Sequence, residues 1–177
     1  MSIQPLQPNT IWLGAISGER PIEVNDLAAG VAICPGMLIE GYVPSGTIKR
    51  VRPHATASVA TAPNFAVEQS MVNKGVNDGY AINDLVQSKI GRSGQTFWAL
   101  IPSGQSITFG QKLESNGDGS LKAYATLGAA IVSAAETVNN TNGLAGPGTF
   151  ANPNPAPQTG GTTALPAGWA RIRVECL

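Results

Sequence analysis

Glycine and proline divide this chain into short segments, and this punctuation limits the folds that it can adopt. The sequence contains 21 glycines and 13 prolines. The apolar runs 30–36 and 37–43 meet at Pro35-Gly36, a pair that is typical of turns. The runs 96–101 and 105–110 are joined by a short Pro-Ser-Gly connection. This rhythm predicts an all-β fold, either a compact β-barrel or a β-sandwich.

The last residues of the chain have the clearest strand pattern. Apolar and charged side chains alternate from residue 171 to residue 176. This period predicts a strand with one face on the core and one charged face outward. The core face would carry Ile172, Val174 and Cys176. The outward face would carry Arg171, Arg173 and Glu175.

The stretch 127–138 fits two kinds of structure. Its apolar residues recur at helical spacing and its alanines favour a helix, whereas the β-branched Ile131 and Val132 favour a strand. Composition alone supports the two alternatives equally.

Low charge restricts the classes of function that are open to the chain. Charged residues make up 12% of the sequence and the formal net charge is zero, whereas a typical soluble domain is about 25% charged. Such a polar, charge-poor surface suits a β-rich protein that lies against other proteins. Nucleic-acid binding is disfavoured, because neutralising phosphates requires a surplus of Lys and Arg. The basic cluster 49–52 is either a solvated face or a contact for an acidic partner surface.

No membrane or targeting segment is predicted. The first ten residues lack the basic and apolar regions of a signal peptide. No apolar run approaches the roughly 20 residues that span a bilayer.

The sequence offers no set of residues for catalysis, a metal or a cofactor. His54 is the one histidine, and we expect it in a loop or at the surface. Cys34 and Cys176 lack metal-ligand spacing. They could form one disulfide, but nothing in the sequence indicates an oxidising compartment, so we expect two free, buried thiols. No nucleophile elbow or phosphate-binding loop is present. These absences predict a protein that is not an enzyme and that carries no cofactor.

The segment 114–119 resembles the opening of a calcium-binding loop. An EF-hand loop usually opens with Asp and closes with a bidentate Glu at position twelve. Here the first position is Glu114 and the twelfth is Ala125. The flanking apolar residues, including Phe109, fit strands, and Asn-Gly and Asp-Gly are turn dipeptides. We therefore predict a hairpin turn at 116–119 and no metal site.

Two segments are expected to lie outside the core. Residues 1–12 form a predicted extended arm, and residues 13–177 a single β domain. Within that domain, residues 139–168 are rich in Asn, Gly, Pro and Thr and form a predicted loop insertion. Such a composition buries too little apolar surface to fold alone, so we expect it to order against neighbouring subunits. Trp169 is expected to anchor the chain back onto the core.

The order of these elements resembles the capsid decoration, or cement, proteins of tailed bacteriophages. The resemblance is carried by residues 28–40, 65–86 and 98–121, and then by the final strands at 129–138 and 170–177. The most specific part is the run 98–121, in which a turn and an apolar strand lead to Gly110, Leu113 and the Gly-Asp-Gly turn. The resemblance also favours strand over helix for 127–138. The insertion at 139–168 departs from the family pattern.

The resemblance implies a non-enzymatic virion protein on the outer surface of an assembled shell, made in the host cytoplasm. It would bind the major capsid protein, tie capsomers together and form a homo-oligomer, often a trimer, without contacting nucleic acid or membrane. We expect capsid contacts from the arm and the last strand, at Gln4, Gln7, Arg171 and Arg173. Two other classes are weighed against it. A carbohydrate- or receptor-binding β-module would need exposed aromatic residues, of which Phe150 is one candidate. A lipoyl-type carrier would need a lysine at a hairpin tip, and neither candidate turn has one.

Overall fold

The computed structural model describes residues 10–15, 20–44, 46, 48–70, 75–125, 128–141 and 168–177. In these ranges the protein is all-β, as predicted, and the paired strands are antiparallel. The strands are β1 (Trp12–Ala15), β2 (Ile22–Ala28), β3 (Ile39–Tyr42), β4 (Arg50–Pro53), β5 (Asn64–Ala66), β6 (Leu85–Ile90), β7 (Gln95–Ile101), β8 (Gln105–Ile107), β9 (Lys112–Ser115), β10 (Leu121–Ala123), β11 (Val132–Ala134), β12 (Val138–Asn140) and β13 (Ala170–Cys176).

The strands form four sheets. The largest has six strands in the order β1-β7-β13-β11-β9-β10, and a three-stranded sheet has the order β2-β6-β5. The pairs β12-β8 and β3-β4 make up the other two. Because the order of the six-stranded sheet ends at β1 and β10, this sheet does not close on itself. Of the two predicted architectures, the described strands do not support a closed barrel.

Strand β7 lies next to the edge strand β1 in the six-stranded sheet and is apolar along most of its length. It pairs with β1 on one side and with β13 on the other. Ala99 and Ile101 pack into one core cluster, whereas Leu100 packs into another. Alternate residues of a strand point to opposite faces, so the sheet is covered on both faces here. A continuous apolar run is the pattern expected of such a strand.

Two hydrophobic clusters form the core. The first core cluster surrounds Phe65 and Phe97, whose ring centroids lie 5.2 Å apart. The second core cluster includes Ile33, Cys34 and Met37 from the segment before β3, and Tyr80 and Leu100 from later in the chain. Trp169 packs against this second cluster, as the sequence predicted. Both cysteines are free and buried, which confirms the prediction of two core thiols.

The body of the protein begins earlier than the predicted end of the arm. Ile11 is fully buried, and its carbonyl accepts a hydrogen bond from the Trp98 N–H at 2.8 Å. The Glu68 carboxylate accepts hydrogen bonds from the Ile11 N–H at 2.8 Å and from the Thr10 hydroxyl at 2.5 Å. Residues 10–12 therefore belong to the body, and the rest of the predicted arm lies outside the described residues.

The predicted insertion begins too early at 139, because Val138–Asn140 forms β12 and pairs with β8. Asn140 is fully buried. Its amide donates to the carbonyl oxygens of Gly168 at 2.8 Å and of Pro102 at 3.0 Å. This side chain holds together the two ends of the segment 142–167. The segment itself lies outside the described residues.

The stretch 127–138 contains strands where it is described. Its apolar residues include those of β11, which pairs with both β9 and β13. They also include Val138, the first residue of β12. The strand alternative, favoured by the family resemblance, is confirmed there. Pairing with two neighbouring strands decides the structure that local propensity left open.

Candidate interaction surface

Of the four predicted contact residues, the structure describes Arg171 and Arg173. Gln4 and Gln7 lie outside the described residues. Arg171 and Arg173 lie two positions apart on β13 and so point to the same side of the sheet. Yet Arg171 is only 4% exposed, whereas Arg173 is exposed. The two arginines therefore differ in what they can contact.

The outward position predicted for Arg171 is wrong, because the second core cluster covers that part of the strand. Arg171 pairs with Leu100 of β7, a member of that cluster. Its Nη2 donates to the carbonyl oxygens of Val76 and, at 3.4 Å, of Pro35. Burial lowers the pKa of Arg171 to about 10, partly opposed by the charges of Cys34 and Glu68. The guanidinium is an internal donor that a partner cannot reach in the folded chain.

Arg173 keeps the exposed position that the alternation predicted. Its backbone N–H donates to Glu136 Oε1 at 2.7 Å, and its Nη2 donates to the Ala135 carbonyl at 3.1 Å. Burial raises the pKa of Glu136, an effect that the hydrogen bond and charge of Arg173 oppose. Arg173 therefore remains a candidate surface cation, held close to the turn that follows β11.

His54 is buried, so the prediction of a loop or surface histidine is wrong in its surface part. The side chain is 3% exposed. Its Nδ1 lies 2.7 Å from Ser115 Oγ, and its Nε2 lies 3.6 Å from Glu40 Oε2. Pro53 ends β4 just before it, and the backbone N–H of His54 donates to the Leu38 carbonyl at 2.9 Å. Tertiary packing places His54 in the interior. A single histidine in the sequence does not reveal such packing.

Glu40, His54 and Ser115 have the residue types of a catalytic triad but not its accessibility. A nucleophilic serine must meet a substrate carbonyl, and Ser115 is fully buried. Its Oγ also accepts a hydrogen bond from the Gly117 N–H at 3.2 Å. These bonds hold the end of β9 and the following turn against the end of β4. The arrangement therefore has a structural explanation.

A buried carboxylate lies next to this serine. Glu114 is fully buried; its Oε1 accepts a hydrogen bond from Ser58 Oγ at 2.6 Å and lies 3.5 Å from Lys122 Nζ. Gly128 leaves the space that the carboxylate occupies, since a Cβ on that glycine would overlap Glu114 Oε2. In the described ranges no group of three or more His, Cys, Asp or Glu side chains is placed to bind a metal ion.

Residues 116–119 form the hairpin turn that the sequence predicted between β9 and β10. Asp118 Oδ1 accepts hydrogen bonds from the Ser120 N–H at 2.9 Å and from the Ser120 hydroxyl. Its Oδ2 accepts from the Asn116 amide at 2.9 Å. Gly119 has a φ of +86°, and a Cβ there would lie 2.8 Å from Pro53 Cβ. The carboxylate of Asp118 is therefore engaged within its own turn.

An aliphatic patch lies at the opposite end of the β3-β4 hairpin from this turn. We define it by five exposed aliphatic side chains: Val31, Val43, Ile48, Ile82 and Leu85. Val43 and Ile48 flank the hairpin tip, whereas Ile82 and Leu85 flank the turn before β6. Arg50 joins the hairpin to this turn, because its Nη1 donates to Asn83 Oδ1 at 2.6 Å and to the Ala29 carbonyl at 3.3 Å.

Val31 belongs to the same patch because the backbone beside it packs on the hairpin. The Gly30 N–H donates to the Val51 carbonyl at 2.8 Å, and a Cβ on Gly30 would overlap the Tyr42 hydroxyl. The Asn83 N–H donates to the Ala29 carbonyl at 2.9 Å. Three segments that are distant in sequence thus meet at one surface.

The basic residues beside the patch differ in their pairing. Arg52 donates to Glu40 Oε1 at 2.8 Å and lies over the Tyr42 ring, 4.7 Å from its centroid. No described carboxylate forms an ion pair with Lys49 or Arg50. The basic cluster predicted at 49–52 therefore divides into one neutralised arginine and two cations: Lys49, whose side chain lies over Gly41, and Arg50, which is bonded to Asn83.

A second exposed feature is aromatic. Phe109 was expected in a strand but lies in the turn after β8, where it is 73% exposed. Gly110, with a φ of +77°, lies in the same turn. Tyr124 is 38% exposed, and its N–H donates to the Lys112 carbonyl at 3.0 Å. Both aromatic rings therefore flank the start of β9. Phe150, the aromatic candidate from the sequence, lies outside the described residues.

Sequence reasoning missed the aliphatic patch because its members are apolar residues, which periodicity assigns to a core. A signal was nevertheless present. Residue types typical of turns stand directly beside Val43, Ile48 and Ile82. Side chains near turns reach solvent more often than side chains in the middle of a strand. Their association depends on contacts between three separate segments, which a single sequence does not display.

No family model matches the chain, and no curated protein matches it. Within the described residues, no helix is long and apolar enough to cross a membrane.

Proposed function

We propose that this chain is a decoration protein that binds the outside of an assembled bacteriophage capsid and stabilises it by bridging capsomers. The body would be a β-sandwich that carries an N-terminal arm and the long Gly/Pro/Asn-rich insertion. The observation that carries the proposal is the aliphatic patch on an otherwise charge-poor, all-β body. Exposed apolar side chains that are grouped at one end of a body commonly mark a protein interface.

A decoration protein would stabilise the shell by mass action. A protein that binds the assembled shell better than loose subunits stabilises the shell by its binding free energy. Many copies with modest contacts then raise the resistance of the particle to rupture. The partner is the major capsid protein, and self-association into a trimer would let one unit bridge several capsomers.

A non-catalytic role is supported by the burial of the reactive groups. Ser115 is fully buried, and Cys34 and Cys176 are 3% and 2% exposed. Burial raises the pKa of the Cys34 thiol to about 11 and that of the Cys176 thiol to about 12, so neither is a thiolate at neutral pH.

The proposal is tested by mixing purified protein with expanded capsids prepared without it. Binding should saturate at a fixed ratio to capsomers, and decorated particles should release DNA at a higher temperature than bare ones. Capsids that neither bind the protein nor gain thermal stability would refute the proposal. Electron microscopy of both particles would locate the bound copies.

A carbohydrate- or receptor-binding module is the second candidate, and the exposed rings of Phe109 and Tyr124 favour it. Aromatic side chains with exposed faces are common in sugar-binding surfaces because they stack on apolar faces of the ligand. Saturable binding to a glycan or host receptor that is lost in Phe109→Ala would favour this function. Ile82→Ser, a surface change in the aliphatic patch, serves as the control.

A further inference from the structure

We propose that a polar strip on one face of the six-stranded sheet is a two-fold contact between two copies of this chain. The polar strip is defined by four side chains on consecutive strands: Thr96 of β7, Glu175 of β13, Ser133 of β11 and Lys112 of β9. The contact belongs to the free protein, so it does not depend on the proposed function. It joins two chains and is therefore distinct from the trimer of that proposal.

The strand register places the polar strip in one continuous row. Glu175 is paired with Thr96 on one side and with Ser133 on the other. Ser133 is in turn paired with Lys112. Directly paired residues project from the same face of a sheet, with Cβ atoms about 4.5–5.5 Å apart. The four side chains are therefore neighbours across four strands.

The polar strip lies on the face of the sheet that is turned away from the first core cluster. The residues that alternate with it along these strands are buried in that cluster: Phe97, Leu113, Val132, Val174 and Cys176. By contrast, Lys112 is exposed, and the other three members of the strip are partly exposed. A partner can therefore reach this row.

The two charged members of the polar strip are not neutralised by any residue that the structure describes. Glu175 and Lys112 lie two strands apart, which is roughly 10 Å, and neither forms an ion pair in the described ranges. The next cation on this face is already engaged, since Lys122 Nζ lies 3.5 Å from Glu114 Oε1. The strip thus presents one carboxylate and one ammonium group, one strand to either side of Ser133.

This order of charges is complementary to itself. A two-fold axis that runs along β11 between two facing sheets brings Lys112 of each copy opposite Glu175 of the other, and Ser133 opposite its own copy. Two ion pairs then form at once, and complementary charges of this kind fix the register of an interface. A different chain would need both charges in matching positions, whereas a second copy of this chain supplies them.

The remaining exposed cation on this face does not oppose the rotation. The Ala135 N–H donates to the Arg173 carbonyl at 2.8 Å, and the Gly110 N–H donates to the Ala134 carbonyl at 2.8 Å. Gly110 therefore lies across β11 from Arg173. The two-fold axis puts Arg173 opposite this uncharged turn of the other copy, so no like charges face each other.

The test is the association state of the free protein, measured by sedimentation equilibrium. Glu175→Lys and Lys112→Glu each place like charges opposite each other in both pairs, so each variant should dimerise at least about tenfold more weakly than the wild type. Lys49→Glu makes the same charge change as Lys112→Glu but lies in the β3-β4 hairpin, over Gly41, and should dimerise like the wild type. Circular dichroism melting curves establish that each variant is folded.

A mixture of the two single variants separates this contact from a general effect of charge. One chain then carries two cations in the strip and the other carries two carboxylates, so a mixed dimer restores both ion pairs. We expect the mixture to associate at least as strongly as the wild type, although neither variant does so alone. High salt should weaken the wild-type and mixed dimers, because it screens exposed ion pairs.

Three results would each overturn the inference: a wild type that stays monomeric at every concentration, single variants that associate as the wild type does, or a mixture that associates no more than its components. A trimer that both single variants retain would also exclude the two-fold contact, while it would agree with the proposed function. Capsid binding is measured separately on undecorated capsids, so failure of the proposed function is distinguishable from failure of this contact.

Discussion

Arg171 and Arg173 are a matched pair of side chains on one strand, and they should respond very differently to truncation. Arg171→Ala removes a buried donor from two carbonyl oxygens and leaves a cavity, so we expect a loss of about 3 kcal/mol in unfolding free energy. Arg173→Ala changes an exposed residue and should cost at most about 0.5 kcal/mol. Urea denaturation measures both. Equal losses would contradict the burial of Arg171.

The two buried thiols should make stability fall at alkaline pH. Burial raises the pKa of Cys34 from 9.0 to about 11 and that of Cys176 to about 12. Above pH 9 the unfolded chain releases thiol protons that the folded chain retains. The thiol contribution is therefore complete below pH 9 and is lost as pH rises through about 11 to 12.

This dependence is measured by urea denaturation between pH 8 and 11. Cys34→Ala/Cys176→Ala should have a shallower alkaline decline than the wild type. A decline remains, because burial also raises the pKa of Tyr80, whereas the lowered pKa of Arg171 acts in the opposite sense. Identical slopes would contradict the assignment. A thiol reagent should find two groups per chain after denaturation without reductant.

At the scale of elements, the β9-β10 turn tests whether Asp118 serves the backbone or a metal. Asp118→Ala removes an acceptor for three donors and should cost roughly 1 kcal/mol. Asp118→Asn keeps an oxygen that can accept from the Ser120 N–H and should cost less. Added calcium should not raise the melting temperature of the wild type. Calcium-dependent stabilisation that Asp118→Ala abolishes would refute the turn assignment.

The sequence predicted individual strands well and their surroundings poorly. Strands β7 and β13 and the turns at Pro35-Gly36 and 116–119 follow from local pattern and turn chemistry, which act over a few residues. The outward position predicted for Arg171 is wrong because alternation identifies the two faces of a strand without showing that both are covered by other parts of the protein. The strand position predicted for Phe109 is wrong because its apolar character suggested a strand, whereas β8 ends at Ile107 and Phe109 lies in the turn with Gly110.

The candidate surface could not be predicted for a related reason. Its members come from the segments before β3, between β3 and β4 and before β6, and they meet through Arg50 and the backbone of Ala29. Such an association depends on long-range topology, which is absent from local pattern. The basic cluster 49–52 was visible in the sequence.

For the molecule as a whole, the geometry at the base of the insertion predicts that the body folds without residues 142–167. Asn140 Nδ2 lies 2.8 Å from the Gly168 carbonyl oxygen, so a short Gly-Ser linker can join the two ends. Each halving of a loop's length lowers its closure cost by about 0.6 kcal/mol. We therefore expect the deleted protein to be as stable as the wild type or slightly more stable in urea denaturation.

Asn140→Ala and Asn139→Ala are the controls for this deletion. Asn140→Ala leaves the carbonyls of Pro102 and Gly168 without their donor and should cost about 1–3 kcal/mol with or without the insertion. Asn139 is exposed and its Oδ1 accepts from Thr141, so its truncation should cost less. A deletion that lowers stability by more than about 2 kcal/mol would show that residues 142–167 pack on the body. If the deletion is neutral, its capsid affinity measures what the insertion adds to binding, separately from the aliphatic patch.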